Sequence, residues 1–262
     1  MKRTPTTLKP SEFPVVLHPF LQNARAYDSS CSPEARVWLL EKDCGYFLKR
    51  APKGALLDEA QMTRHFHALG LSTEVILFHA EGEFDYLLTA RIPGEDATHA
   101  QYLADPKRLC DAIATELRAL HERGTKGCPI ADHSAKYLTR ATENRKSGVF
   151  DRSFLPPSLA HMTADEAWEL VQAEGHRLTS DTLLHGDYCL PNILFDDRRF
   201  SGFIDLGNGG VGDRHVDLFW GAWTLAFNLG TDHYRDRFFD AYGRDVIDED
   251  RIALIGAIEC FG

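Results

Sequence analysis

The chain has 262 residues, 44% hydrophobic and 11% aromatic, enough to bury one large core or two modest lobes and too apolar for a disordered chain. Lys and Arg number 29 and Asp and Glu 39, a formal charge of −10 that disfavours nucleic acid and anionic membrane as partners and suits solubility or a cationic ligand. No apolar run approaches the ~18 residues of a membrane span, and a polar stretch follows the basic Met1-Lys2-Arg3. The six cysteines form no CxxC pair, so we expect reduced thiols in a cytoplasmic protein.

In chain order, Arg36–Glu41 and residues 45–49 are short apolar runs about a Lys-Asp turn, the pattern of a hairpin. Residues 56–69 read as a helix stopped by Gly70. Residues 74–79 and Phe84–Ala90 read as strands split by Ala-Glu-Gly-Glu. Pro93-Gly94 is a turn signal, and beyond it the pattern changes. Leu109, Ile113, Leu117 and Leu120 recur at helical spacing, and Thr163 with Glu166 forms a capping box that opens another helix. Two short strands follow at 192–195 and 200–206, and the chain from Asp213 onward reads as helices. Strands first and helices later predict an α+β protein of two lobes joined near residues 90–94, with the chemistry in the cleft between them.

The strongest chemical signal is His185-Gly186-Asp187-Tyr188-Cys189-Leu190-Pro191-Asn192, followed by Gly202-Phe203-Ile204-Asp205. Phosphoryl transfer asks a protein chiefly to position and neutralise. Asp187 offers a carboxylate to an attacking hydroxyl, and Asn192 and Asp205 offer the oxygens that magnesium takes. Asn192 stands five positions after Asp187, the spacing of a kinase catalytic loop. His-Gly-Asp and Pro-Asn are also ordinary turn chemistry, so the ordered set carries the signal and no single pair does. Gly207-Asn208-Gly209-Gly210-Val211-Gly212 formally satisfies GxGxxG, but no βαβ alternation surrounds it, and no Walker A sequence is present.

HGDYCLPN followed by FSGFIDLGNGGVGDRHVD resembles the catalytic segment of the aminoglycoside 3′-phosphotransferases, and the likeness extends over most of the chain. Cys128-Pro129 and the loop Tyr27-Asp28-Ser29-Ser30-Cys31-Ser32-Pro33 also resemble family features. The resemblance implies a bilobal protein-kinase-like fold, with a nucleotide-binding lobe at 1–92 built on an antiparallel sheet. A larger, mostly helical catalytic and acceptor-binding lobe would then occupy 93–262. It implies ATP or GTP as donor and Mg2+ as metal, with Asp187 as base and Asn192 and Asp205 as metal ligands. Lys49 matches the phosphate-binding lysine and Glu59 its ion-pair partner, Ser29 and Ser30 lie in the phosphate loop, and Ala90 and Ile92 supply backbone to the base. Asp213 and Asp217 match supporting aspartates, the second a brace of the catalytic loop. The acceptor would be a cationic small molecule, with no nucleic acid or membrane partner, and the chain a monomer or weak homodimer.

On the acceptor side the sequence departs from the family. Asn208, Trp223 and Phe227 stand where kanamycin-phosphorylating members carry Arg, Arg and Glu, and residues 154–158 replace an acidic loop. At the C-terminus Glu259 and the α-carboxyl of Gly262 remain, while Cys260 replaces a carboxylate. Exchange of carboxylates for aromatic rings favours a flatter or more apolar acceptor, although Phe219, Trp220, Trp223 and Phe227 at helical spacing also suit a core. An aminoglycoside kinase is therefore expected first and a kinase for another small molecule second. A nucleotide-binding pseudokinase is third, disfavoured because Lys49, Glu59, Asp187, Asn192 and Asp205 are all retained.

Overall fold

A computed structural model describes residues 3–262. Its strands are β1 (Thr4–Thr6), β2 (Arg25–Asp28), β3 (Arg36–Glu41), β4 (Tyr46–Pro52), β5 (Val75–Glu81), β6 (Phe84–Ala90), β7 (Glu95–Asp96), β8 (Thr182–Leu184), β9 (Ile193–Asp196), β10 (Arg199–Phe203) and β11 (Gly210–Gly212). Its helices are α1 (His18–Leu21), α2 (Leu57–Ala68), α3 (Ala100–Leu103), α4 (Pro106–His121), α5 (His133–Lys146), α6 (Ala164–Glu174), α7 (His215–Leu229), α8 (Arg235–Tyr242) and α9 (Glu249–Glu259). The chain separates into two compact units. The first is the chain through His99 with Pro191–Asn208, and the second is Ala100–Leu190 with Gly209–Gly262. The expected joint at 90–94 thus precedes the observed division, and the chain passes from one unit to the other between Asp187 and Asn192.

In the first unit an antiparallel sheet runs β1-β2-β3-β4-β6-β5. Strand alternation sends successive side chains to opposite faces. Trp38, Leu40, Leu48 and Leu88 join Phe13, Leu17 and Leu21 on one face, while Ala51 and Leu87 join Leu56 and Ala60 at the start of α2 on the other. Lys49 lies between Leu48 and Arg50 and pairs across the sheet with Leu87, which puts it on the α2 face. Buried Asp85 of β6 accepts the amides of Gly54 (2.8 Å) and Leu56 (3.1 Å), capping the chain as it enters α2.

After Pro93 the chain turns at Gly94, whose φ of +96° suits glycine and whose missing side chain admits the Phe195 carbonyl. There β7 joins β9, which pairs in turn with β10. The strand expected through residue 206 stops at Phe203 because Asp205 takes a left-handed φ of +59° and residues 206–208 close into a 3-10 turn.

The second unit is helical apart from the antiparallel pair β8–β11. Leu109, Ile113, Leu117 and Leu120 of α4 are all buried, as their spacing requires. The capping box of α6 is fully formed, with Thr163 Oγ1 accepting the Glu166 amide at 3.3 Å and the Glu166 carboxylate accepting the Thr163 amide at 2.8 Å. Among the described residues no helix is long and apolar enough to cross a membrane.

Candidate active site

In the first unit Lys49 holds two carboxylates. Its Nζ donates to Glu59 Oε2 at 2.7 Å and to Asp205 Oδ1 at 2.8 Å. Burial opposes the ammonium charge, but Glu59 and then Asp205 outweigh it and raise the lysine's pKa. Burial pushes Glu59 up against the pull of Lys49. The Lys49 and Glu59 side chains are 20% and 11% exposed, whereas Asp205 is 50% exposed, so the open end of this cluster is the Asp205 carboxylate. Gly207 lets the turn after Asp205 approach α2, since a Cβ there would lie 3.5 Å from Glu59 Cβ.

Asn192 is tied to the same segment, its carbonyl accepting the Ile204 amide at 3.0 Å. A carboxylate and a side-chain amide oxygen on adjoining backbone are hard donors of the kind magnesium takes. The left-handed Asp205 adds the local strain common at functional positions. The donor set therefore fits a magnesium ion held by Asn192 and Asp205.

Ser29 and Ser30 open the loop between β2 and β3. Its base is closed by the Ser29 amide on the Val37 carbonyl (2.9 Å), the Ser30 amide on Asp28 Oδ1 (2.9 Å) and the Val37 amide on Ser30 Oγ (3.0 Å). Arg36 pairs with Asp28 beside them. Residues 31–34 beyond this clasp are exposed. At the end of β6 the Ala90 amide donates to Glu74 (3.0 Å) and its carbonyl accepts the Thr73 hydroxyl. The Ile92 amide has no acceptor among the described residues, although Ile92 is buried. Asn208 is exposed at the end of the 206–208 turn.

In the second unit the loop that begins at His185 leaves β8 and is pinned residue by residue. The Asp217 carboxylate of α7 accepts the His185 amide (2.8 Å), the Gly186 amide (2.7 Å) and His121 Nε2 (3.0 Å). Burial works against the charge of Asp217, but the hydrogen bonds it accepts, first from His121 and also from the His185 amide, hold its carboxyl below the usual range. His121 is itself depressed by burial, so at neutral pH it is an uncharged imidazole donating Nε2–H. Its Nδ1 then accepts from the Tyr242 hydroxyl at 2.8 Å.

Past Gly186, at φ +82°, the Asp187 amide donates to His185 Nδ1 at 3.3 Å. Tyr188 is buried and donates to the Ile113 carbonyl at 2.7 Å, and the Leu190 amide donates to Thr224 Oγ1 at 3.1 Å. Asp187, half-buried between these anchors, has its position set by its neighbours' bonds. Burial and the adjacent Asp187 push the Cys189 thiol far up, so it stays protonated and offers no nucleophile.

The acceptor candidates of this unit divide. Glu259 is buried, its Oε1 accepting from Tyr137 Oη (2.7 Å) and Trp220 Nε1 (2.9 Å), and burial raises its pKa. The Gly262 carbonyl accepts from Asn144 Nδ2 at 2.8 Å. Trp223 is half-buried and Phe227 is 71% exposed. Asp213 serves support, as expected, its Oδ1 accepting the His215 amide at 3.0 Å at the start of α7 and its Oδ2 pairing with Arg251. His121 and Trp220 are the residues whose part the sequence alone did not give. His121 meets Asp217 across 96 residues, a pairing without a local signal, while Trp220 stood in the aromatic series without a reason to single it out.

The chain is similar in sequence and fold to known proteins. The chain is 50% identical over 251 residues to a "Probable aminoglycoside 3'-phosphotransferase" of Lactococcus lactis subsp. lactis, covering 96% of this chain and 95% of that one. Its fold is shared with the aminoglycoside phosphotransferase APH(3'')-Id of Streptomyces rimosus, solved with ADP and streptomycin, at a TM-score of 0.77 and 21% identity over 97% of this chain and 98% of that one. The choline kinase LicA of Streptococcus pneumoniae shares it at a TM-score of 0.64 and 16% identity over 93% and 84% of the two chains. These kinases establish the protein-kinase-like fold that the family resemblance implied. With residues 27–255 matching its family pattern, the chain belongs to the phosphotransferase enzyme family of the aminoglycoside phosphotransferases.

Proposed function

We propose that the protein transfers the γ-phosphate of ATP to the 3′-hydroxyl of an aminoglycoside, and so inactivates the antibiotic in the cytoplasm. The observation that carries the donor half is Lys49 held at 2.7 Å from Glu59 and 2.8 Å from Asp205, a cation fixed for phosphate oxygens. The acceptor half is supported by the half-identical relative named for that reaction.

Lys49 takes α- and β-phosphate charge, and the Ser29–Ser30 loop covers the phosphates. The free Ile92 amide and the Ala90 carbonyl receive the adenine. Asn192 and Asp205 hold magnesium, which when bound neutralises charge on the phosphates. Asp187 orients the acceptor hydroxyl and takes its proton. As the acceptor oxygen bonds to the γ-phosphorus, the bond to the β-phosphate oxygen breaks and ADP leaves. The division of labour we read is a nucleotide lobe at 1–92 and a catalytic and acceptor lobe at 93–262, acting as a monomer or weak homodimer.

A second reading, a kinase for a different hydroxylated small molecule, is favoured by Trp223 and Phe227 on the acceptor side and by the buried state of Glu259. A coupled ADP-release assay with ATP, magnesium, kanamycin, neomycin, streptomycin and several nucleosides decides between them. We expect turnover of kanamycin or neomycin and its loss by ~10³-fold in Asp187→Ala, with ATP binding retained. An Asp187→Ala variant as active as wild type would remove the base from this scheme.

A further inference from the structure

Helix α7 touches the catalytic loop through Thr224, which accepts the Leu190 amide at 3.1 Å. Helical spacing puts Trp220, Trp223 and Phe227 on the Thr224 face. The Trp223 and Phe227 rings stack with centroids 5.0 Å and planes 11° apart. Trp220 meets Trp223 edge-on at 5.4 Å, and Phe154 closes on the two indoles at 5.6 and 5.9 Å.

A packing role accounts for Trp220 but not for Phe227. Its ring is 71% exposed on a helix whose other large apolar residues are mostly buried. The row is also fixed in orientation, because Trp220 donates Nε1 to Glu259 Oε1 at 2.9 Å and that oxygen is held by Tyr137 as well. A rigid row of π-faces backed by a carboxylate, on the helix that anchors the loop of Asp187, is chemistry for a cation: indole and phenyl faces attract ammonium groups and pack on the C–H face of a sugar or cyclitol ring.

We infer that Trp223 and Phe227 form an aromatic platform that receives the ammonium-bearing ring face of the acceptor alcohol, doing by cation–π and apolar contact what carboxylates do in amino-sugar sites. This rests on the kinase reading above. It assigns the platform to acceptor recognition, with Asp187 alone at the reacting oxygen.

The test is steady-state kinetics with ATP and kanamycin, with choline as a second ammonium alcohol. Phe227→Ala and Trp223→Leu should raise the kanamycin KM about tenfold each while kcat and the ATP KM stay within about twofold. Trp223→Phe, which keeps a π-face, should restore most of the affinity and lose most of the kanamycin-induced quenching of indole fluorescence. Phe227 is exposed, so its replacement leaves the core intact and a change in KM reports on recognition. An unchanged kanamycin KM in both Phe227→Ala and Trp223→Leu overturns the platform while leaving the aminoglycoside reading standing. Turnover of choline and not kanamycin, with the choline KM raised by the same variants, keeps the platform and overturns the aminoglycoside reading. Turnover of none of kanamycin, neomycin and choline overturns both.

Discussion

At the residue scale, the candidate site holds its charged side chains in place with partners from within the protein. Lys49 is compensated by two carboxylates from different parts of the chain, so its ammonium is fixed without substrate. Lys49→Ala should lower kcat/KM about a hundredfold, ~2.7 kcal/mol of transition-state stabilisation, with a raised ATP KM. A loss of less than threefold would show the cluster to be structural. Asp217 answers for geometry. Replacing it with Ala leaves the amides of His185 and Gly186 and the His121 imidazole without their acceptor inside the protein. We expect Asp217→Ala to cost ~3–5 kcal/mol in urea unfolding. Asp217→Asn, which keeps one acceptor oxygen, should cost visibly less, and equal losses would mean that charge rather than hydrogen bonding matters there.

At the element scale, hydrophobic period and caps explain most of what forms. The hairpin of β3 and β4, the strand β6 and the helices α2, α4 and α6 are legible because each carries its own alternation, stripe or capping residues within a few positions. The pairs β7–β9 and β8–β11 are not legible. Their short strands are defined only by partners far away in sequence, and Glu-Asp or Gly-Val-Gly has no strand signature. Helix α5 is polar along much of its length, with little apolar stripe to read.

Gly94 shows how tightly such contacts are built. An alanine Cβ there would lie 2.1 Å from the Phe195 carbonyl oxygen, on backbone at φ +96°. Gly94→Ala should lower stability by at least ~2 kcal/mol, whereas Gly82→Ala, at φ +60° with nothing within 4 Å, should cost ~1 kcal/mol. Thermal unfolding of the two variants side by side checks this, and equal midpoints would contradict it.

At the scale of the whole molecule, pH couples to the brace behind the catalytic loop. The folded protein binds a proton at His121 less readily than the unfolded chain does, because burial disfavours the imidazolium. Its contribution to stability is therefore present above the unfolded pKa of ~6.5 and lost as pH falls from there toward the folded value. His65, depressed by burial, acts in the same direction. Asp217 and Asp213, held below the usual carboxylate range, lose their contributions later, below pH ~3.8. The unfolding midpoint should fall as the pH is lowered from 6.5 to 5, and His121→Gln should flatten that slope. A wild-type midpoint that rises on acidification to pH 5.5 would rule the coupling out.

The candidate chemistry was legible in the chain's local motifs. The order His-Gly-Asp, Pro-Asn and Ile-Asp, the lysine on its strand and the capping signals are local patterns, and local patterns are set by residues a few positions apart. Tertiary structure alone decided what surrounds those groups. Lys49 found Glu59 across 10 residues, within reach of a strand-to-helix reading, but Asp205 across 156. Asp217 gathered its three donors, Glu259 was buried under Trp220 and Tyr137, and Phe227 was left in the open. Burial and long-range hydrogen bonding depend on how whole elements pack, and the helical period that put Trp220, Trp223 and Phe227 on one face carried no sign of which would face the core and which the solvent.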